Sequence, residues 1–295
     1  MRYRLEYILL ICIAAIVRLL PRNAALCLGR KFGVIGRFLR PKRTNIADNN
    51  LRNAFPEMPA AERKRIIKQV FSNLGIGLVE MLRLDLLDGK RDLNKLFTIE
   101  GAEHIREALT MGRGCILLTG HLGFWEAGNF VFPALGLPTA IVTRPMKNPL
   151  VDDYFRRLRE SHGGYVIDRR KGARRIFKAL QNNHLVGILM DQHTARRQAV
   201  RVPFFGRPAY TTPVIAQMAM KYQVPVVPVF AYRNVDHTYR AMVSPPLLLD
   251  CDLSSEGIVA ATTLLTEKIE EGILRDVGQW FWIHRRWKYM TDHGK

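Results

Sequence analysis

From Phe97 onward the sequence alternates between short apolar runs of strand length and longer stretches whose apolar residues recur at helical spacing, and no other feature narrows its fold so far. The short runs are residues 114–119, 139–143, 165–167, 185–189 and 224–230. Between and after them lie helical stretches near residues 122–134, 148–161, 173–182, 212–221 and 255–274. Such alternation predicts an α/β fold, a mostly parallel sheet flanked by helices and buried on both faces. Ligands of these sheets gather beyond the carboxyl ends of the strands, so the residues directly after each run are the functional candidates.

The quarter before Phe97 reads as helical, with patterns near residues 24–38 and 60–87. Residues 7–17 carry no charge, Arg18 interrupts them, and the run is short for a free-standing span of about 20 residues. Arg2 and Arg4 precede it, Arg18, Arg22, Arg30 and Lys31 follow, and no small-residue cleavage site closes it. The expectation is a membrane-anchor helix over residues 1–22, reaching into one leaflet or just crossing it, followed by one catalytic domain over residues 23–295. A buried first helix of the globular domain is the competing reading.

Lysine and arginine total 45 against 26 acidic residues, a formal charge of +19 that calls for anionic partners. Nucleic acid is the weakest of these, because the chain has no zinc-finger spacing, RRM-like aromatic signature or helix-turn-helix pattern. Anionic lipid and acidic carrier proteins remain, as does the alternative of a non-enzymatic basic membrane-binding protein. Cys12, Cys27, Cys115 and Cys251 are scattered without Cys-x-x-Cys spacing, which suggests neither a disulfide framework nor a zinc site and fits a reducing, cytoplasm-facing domain.

Chemistry concentrates after the run 114–119, in Gly120-His121-Leu122-Gly123-Phe124-Trp125-Glu126. Gly120 and Gly123 permit a tight turn that leaves His121 at the sheet edge. If residues from 122 onward are helical, Glu126 sits about one turn along and reaches back to one imidazole nitrogen, an arrangement of base and orienting acid.

Further segments follow in order: Arg144-Pro145 with Asn148-Pro149-Leu150, Arg157-Leu158-Arg159, Asp191-Gln192, Pro203-Phe204-Phe205-Gly206 and Ile283-His284-Arg285-Arg286-Trp287-Lys288. Together with the N-terminal apolar helix and the 121–126 segment, these resemble the lipid A biosynthesis lauroyl/myristoyl acyltransferase family, relatives of the glycerol-phosphate acyltransferases, over nearly the whole chain. The resemblance implies a glycerol-phosphate-acyltransferase-like sheet and no metal or organic cofactor. It implies acyl transfer from an acyl carrier protein thioester to a hydroxyl of a lipid A precursor, an anionic glycolipid, at the cytoplasmic face of the bacterial inner membrane.

It further implies that His121 and Glu126 are catalytic, that the family's functional arginine is Arg157 with Arg159 beside it, and that its later aspartate is Asp191. Where the family commonly has Asp-x-Asp, this chain has His193 as the second member. A backbone amide near Gly120 to Gly123 and the Arg157 guanidinium are the expected oxyanion donors. Arg157 is equally suited to grip a phosphate or to pair with an acid on its own helix. Basic residues over 156–159 and 169–175 suit a docking rim for phosphates and carrier protein, or a solvated helix face.

Two readings stay open at the aromatic segments. Trp280, Trp282 and Trp287, interleaved with Arg285, Arg286 and Lys288, suit either the head-group layer or the core. Phe204 and Phe205 sit in a turn that lines the acyl path or in plain core. The acceptor is open too, since a phosphatidylinositol mannoside or a lysophospholipid would need the same base.

Overall fold

The computed structural model describes residues 1–288. Four helices form the first quarter: α1 (Arg2–Leu19), α2 (Arg22–Leu39), α3 (Pro41–Ala54) and α4 (Ala60–Met81). Helices α2 and α4 cross backbone to backbone, because a β carbon on Gly33 would stand 2.0 Å from the Phe71 carbonyl oxygen and one on Gly75 2.0 Å from that of Gly29. Only residues without side chains allow this approach. Helix α3 falls outside the helices read from sequence, since it is mostly polar and starts on a proline at its first turn.

The remaining chain builds the sheet and its covering helices. Strands are β1 (Phe97–Glu100), β2 (Cys115–Thr119), β3 (Thr139–Thr143), β4 (Tyr165–Asp168), β5 (Leu185–Leu189), β6 (Val200–Phe204), β7 (Arg207–Thr211), β8 (Val226–Arg233) and β9 (Tyr239–Val243). The main sheet has the order β1-β9-β8-β2-β5-β3-β4, parallel throughout from β8 to β4, with β9 antiparallel to β8 and β1 parallel to β9. Ile116 and Leu118 of β2 point into one core with α4, α9 (Gly172–Gln181), α10 (Val214–Tyr222) and α11 (Ser255–Arg275). Cys115 and Leu117 point into the other, with α1, α2, α5 (Gly89–Leu96), α6 (Ala102–Thr110), α7 (Gly128–Ala134) and α8 (Pro149–Glu160). Burial on both faces explains why the central strands are near-continuous apolar runs.

Strands β6 and β7 form a separate hairpin whose two turn residues, Phe205 and Gly206, have φ of 49° and 70°. Positive φ at both positions matches the twist of a two-residue hairpin. Phe204, fully buried, packs on Trp280 and Trp287, and Trp282 is buried as well. The core reading therefore holds for Phe204 and the three tryptophans, and the head-group-layer reading of Trp280, Trp282 and Trp287 is corrected: fully desolvated indoles cannot reach an interface.

The N-terminal helix differs from the expected anchor. Among the described residues no helix is long and apolar enough to cross a membrane. Helix α1 lies along α8, its C-terminal carbonyls held by Arg83 through Val17, Arg18 and Leu20, and its Arg18 paired with Asp85 at 2.9 Å. Asn148 donates to the Tyr3 carbonyl oxygen at 3.0 Å at the other end. The Arg83 bonds satisfy carbonyls that the helix C-terminus leaves unpaired, and with the contacts of Arg18 and Asn148 they dock α1 on the domain. Its outward side still exposes Leu5, Ile8, Leu9, Ile13 and Ile16.

Candidate active site

Strands β2 and β5 are parallel neighbours with Thr119 opposite Leu189. Two residues past each pairing come His121 and Asp191, so the register alone sets this imidazole beside this carboxylate at the sheet's carboxyl edge. His121 Nδ1 lies 2.8 Å from Asp191 Oδ1, and the His121 backbone N–H donates to Oδ2 at 2.9 Å. The Trp280 indole N–H donates to the same Oδ2 at 2.8 Å. Asp191 is 1% exposed. Burial pushes its carboxyl up, but the His121 charge and the converging donors outweigh burial and hold it down to about 2. An ionised Asp191 accepts a hydrogen bond from Nδ1–H and leaves Nε2 as the acceptor nitrogen, on a side chain about a quarter exposed.

Glu126 does not hold His121, contrary to the sequence expectation. Residues 122–124 are not helical: Leu122 bridges Trp280, Gly123 bridges Ala231, and helical geometry begins only with a 3₁₀ turn at Trp125–Ala127 ahead of α7. Glu126 instead accepts from Arg159 Nε at 3.0 Å and Nη2 at 2.6 Å, and from Asn129 at 2.8 Å. The two charged side chains are each 14% exposed. Burial works against the Arg159 charge, and the Glu126 carboxylate more than restores it.

Of the expected backbone oxyanion donors over 120–123, those of His121, Leu122 and Gly123 are committed elsewhere. The N–H groups of His121, Leu122, Gly123 and Phe124 donate to Asp191, the Gly120 carbonyl, the Gln279 carbonyl and the Ala231 carbonyl respectively. Gly123 has φ +58°, and a β carbon there would stand 2.0 Å from the Ala231 carbonyl oxygen, so its role here is close approach rather than donation. Arg157, 62% exposed, pairs with Asp153 at 2.9 Å, and Arg156 pairs with Asp153 and Glu160. Both arginines thus follow the solvated-face reading, and Arg159 alone of the three turns inward.

A cavity of about 930 Å³ opens along the strand ends, lined by His121, Glu126, Arg159 and His284. One part of its wall is apolar, formed by Leu117, Val131, Phe132 and Ile141, and another carries the exposed Arg144, Arg169 and Arg197. His284 Nε2 accepts from the His193 backbone N–H at 3.1 Å, and burial pushes its imidazole down to about 4, with the Asp191 charge opposing and the positive charges of His121 and Arg286 adding to the fall. It is therefore neutral near pH 7. Burial pushes the Cys115 thiol up to about 12, which removes it as a nucleophile. What remains is a histidine with a fixed tautomer facing a cleft with apolar and cationic walls, a group able to take a proton from a hydroxyl.

The sequence matches the family profile of bacterial lipid A biosynthesis acyltransferases over residues 1–289. The chain belongs to this family. It is 29% identical to a lipid A biosynthesis acyltransferase of Haemophilus influenzae across 90% of this chain and 84% of that protein. It is likewise 29% identical to the lipid A biosynthesis lauroyltransferase of Escherichia coli, across 92% and 88%. A phosphatidylinositol mannoside acyltransferase of Mycobacterium tuberculosis is 26% identical across 81% and 75%. The solved 1-acyl-sn-glycerophosphate acyltransferase PlsC of Thermotoga maritima aligns with 86% of this chain and 97% of its own at 17% identity, with a TM-score of 0.40.

In this acyltransferase, His121, Glu126, Arg159 and Asp191, all singled out from the sequence, lie near the strand ends, and His121 pairs with Asp191 rather than with the expected Glu126. Asp191 follows the run 185–189 at the same offset as His121 follows the run ending at Thr119, and that parallel was readable. Trp280 and His284 were missed as site residues because they come from a segment far along the chain, without strand or helix periodicity.

Proposed function

We propose that this acyltransferase moves a fatty acyl chain from an acyl carrier protein thioester to a hydroxyl of a lipid A precursor, a late acylation at the cytoplasmic face of the bacterial inner membrane. The observation that carries the reading is the His121–Asp191 pair opening on a cavity that joins an apolar wall to exposed arginines. His121 Nε2 takes the hydroxyl proton as the oxygen attacks the thioester carbonyl carbon. The tetrahedral intermediate then expels the thiolate, which receives the proton back from His121. Asp191 holds the tautomer and stabilises the imidazolium. Arg159 spends Nε and Nη2 on Glu126, and Nη1 is the donor assigned to the developing oxyanion. Glu126 is thereby a positioning residue.

Arg144, Arg169 and Arg197 suit phosphate groups of the acceptor or of the carrier's prosthetic arm. The exposed apolar sides of α1 and α2, with Phe32, Ile35 and Phe38 on α2 and the exposed Arg4, Arg30 and Lys31 nearby in sequence, suit a helix pair lying in the head-group boundary of an anionic bilayer. The mycobacterial relative supports a second acceptor, a phosphatidylinositol mannoside.

The test is transfer from carrier-protein thioesters to a lipid A precursor and, in parallel, to a phosphatidylinositol mannoside. Asp191→Asn is expected to lower kcat by roughly 10²–10⁴ with little change in KM, as a lost base partner should. Wild-type turnover in both His121→Ala and Asp191→Asn would refute the mechanism, and exclusive use of the mannoside would move the acceptor assignment.

A further inference from the structure

Gly187 is the middle residue of β5, buried, and in register with Leu117 on β2 and Ile141 on β3. All three line the active-site cavity, which Val131 and Phe132 of α7 wall from the opposite side. A β carbon on Gly187 would meet Ile141 Cδ1 at 2.7 Å and the Ala140 carbonyl oxygen at 3.8 Å, and nothing else within 4 Å. Gly187 is not among the glycines with positive φ, so the backbone does not demand a glycine there. In a strand interior glycine gives up packing and entropy, and its common justification is that something must approach closely. Here the missing side chain leaves room on the α7 face of the sheet that the tip of Ile141 partly fills and can vacate, four residues and about 13 Å of chain before Asp191.

We propose that Gly187 is a specificity-determining residue: the acyl chain runs from His121 between α7 and the sheet, and its far end packs over Gly187 against Ile141. This rests on the acyl-transfer reading above and assigns which wall sets chain length. A side chain at 187 fills the far end of the path, whereas trimming Ile141 deepens it. Each methylene in such a pocket changes discrimination by about 10–200-fold.

The test measures initial rates of the full-length protein with carrier-protein thioesters of graded chain length and one acceptor. Gly187→Val is expected to cut the rate with the preferred chain at least tenfold relative to a chain two carbons shorter, and Ile141→Ala to shift preference toward longer chains. Gly187→Ala, whose methyl meets only a flexible side-chain tip, gives the same direction with a smaller change and serves if the valine variant does not fold. Equal losses at every length in the Gly187 variants, with an unchanged profile in Ile141→Ala, would overturn the assignment alone. Wild-type protein that uses no thioester of any length would overturn the acyl-transfer reading, and this inference with it.

Discussion

A carboxylate buried to 1% exposure and met by three donors is fixed in charge as well as in place, and Asp191 has that setting. Its pKa, held down to about 2, lies below the ordinary value of about 3.9, so its contribution to stability is complete above about pH 4 and is lost as pH falls toward 2. Denaturant unfolding between pH 5 and 2 should show wild type losing stability faster than Asp191→Asn; parallel curves would contradict the pairing. The same residue shows what sequence could reveal at this scale. Position after a strand is legible, and His121 stood out by it, whereas Asp191 entered as a candidate through the family resemblance. Which acid serves the histidine depends on the β2–β5 register, whereas the Glu126 expectation depended on a helix starting at residue 122, and the bridges to Trp280 and Ala231 hold that stretch out of helical geometry.

At the scale of elements, the loop carrying His121 is built by its neighbours. The segment Gln279–Phe281 accepts from the Gly123 N–H through the Gln279 carbonyl, donates from the Phe281 N–H to the His121 carbonyl at 3.0 Å, and sends Trp280 to Asp191. Trp280→Phe should raise the acid limb of the pH–rate profile and lower kcat about tenfold, because one lost donor leaves Oδ2 under-satisfied at roughly 1–3 kcal/mol. A profile that stays in place while kcat falls would mark Trp280 as packing only. The Glu126–Arg159 pair makes a second elemental link, between the 3₁₀ turn before α7 and α8. Glu126→Gln should destabilise by about 3–5 kcal/mol by leaving an inward arginine without its counter-charge. Glu126→Gln with Arg159→Met should recover stability in thermal unfolding but not turnover, and full activity in the double variant would exclude Arg159 from the chemistry. Elements were legible where apolar runs stand out: β2, β5 and β8, buried at nearly every position, and the shorter apolar stretches of the less buried β3 and β4. Strand β1, with two polar residues in four, β9, which alternates buried and exposed positions, the β6–β7 hairpin and polar α3 lack that signal, since each owes its shape to partners distant in sequence.

For the whole molecule, a formal charge of +19 and an exposed apolar row on two docked helices act on the same kind of surface. Vesicles containing anionic lipid should bind the protein in low salt and release it as salt rises, with the apolar row retaining a remainder. Replacing Ile8, Leu9 and Phe38 with serine should abolish that salt-resistant fraction in flotation assays without moving the thermal midpoint, since all three side chains are exposed. Undiminished binding would place membrane contact on another face. A different consequence follows from the order in which the chain is made. The strap around Trp280 is synthesised after every strand of the sheet, yet it supplies the bonds that fix the His121 loop. A nascent chain with its sheet already folded would thus remain chemically silent, and the enzyme would switch on only once these late residues clear the ribosome.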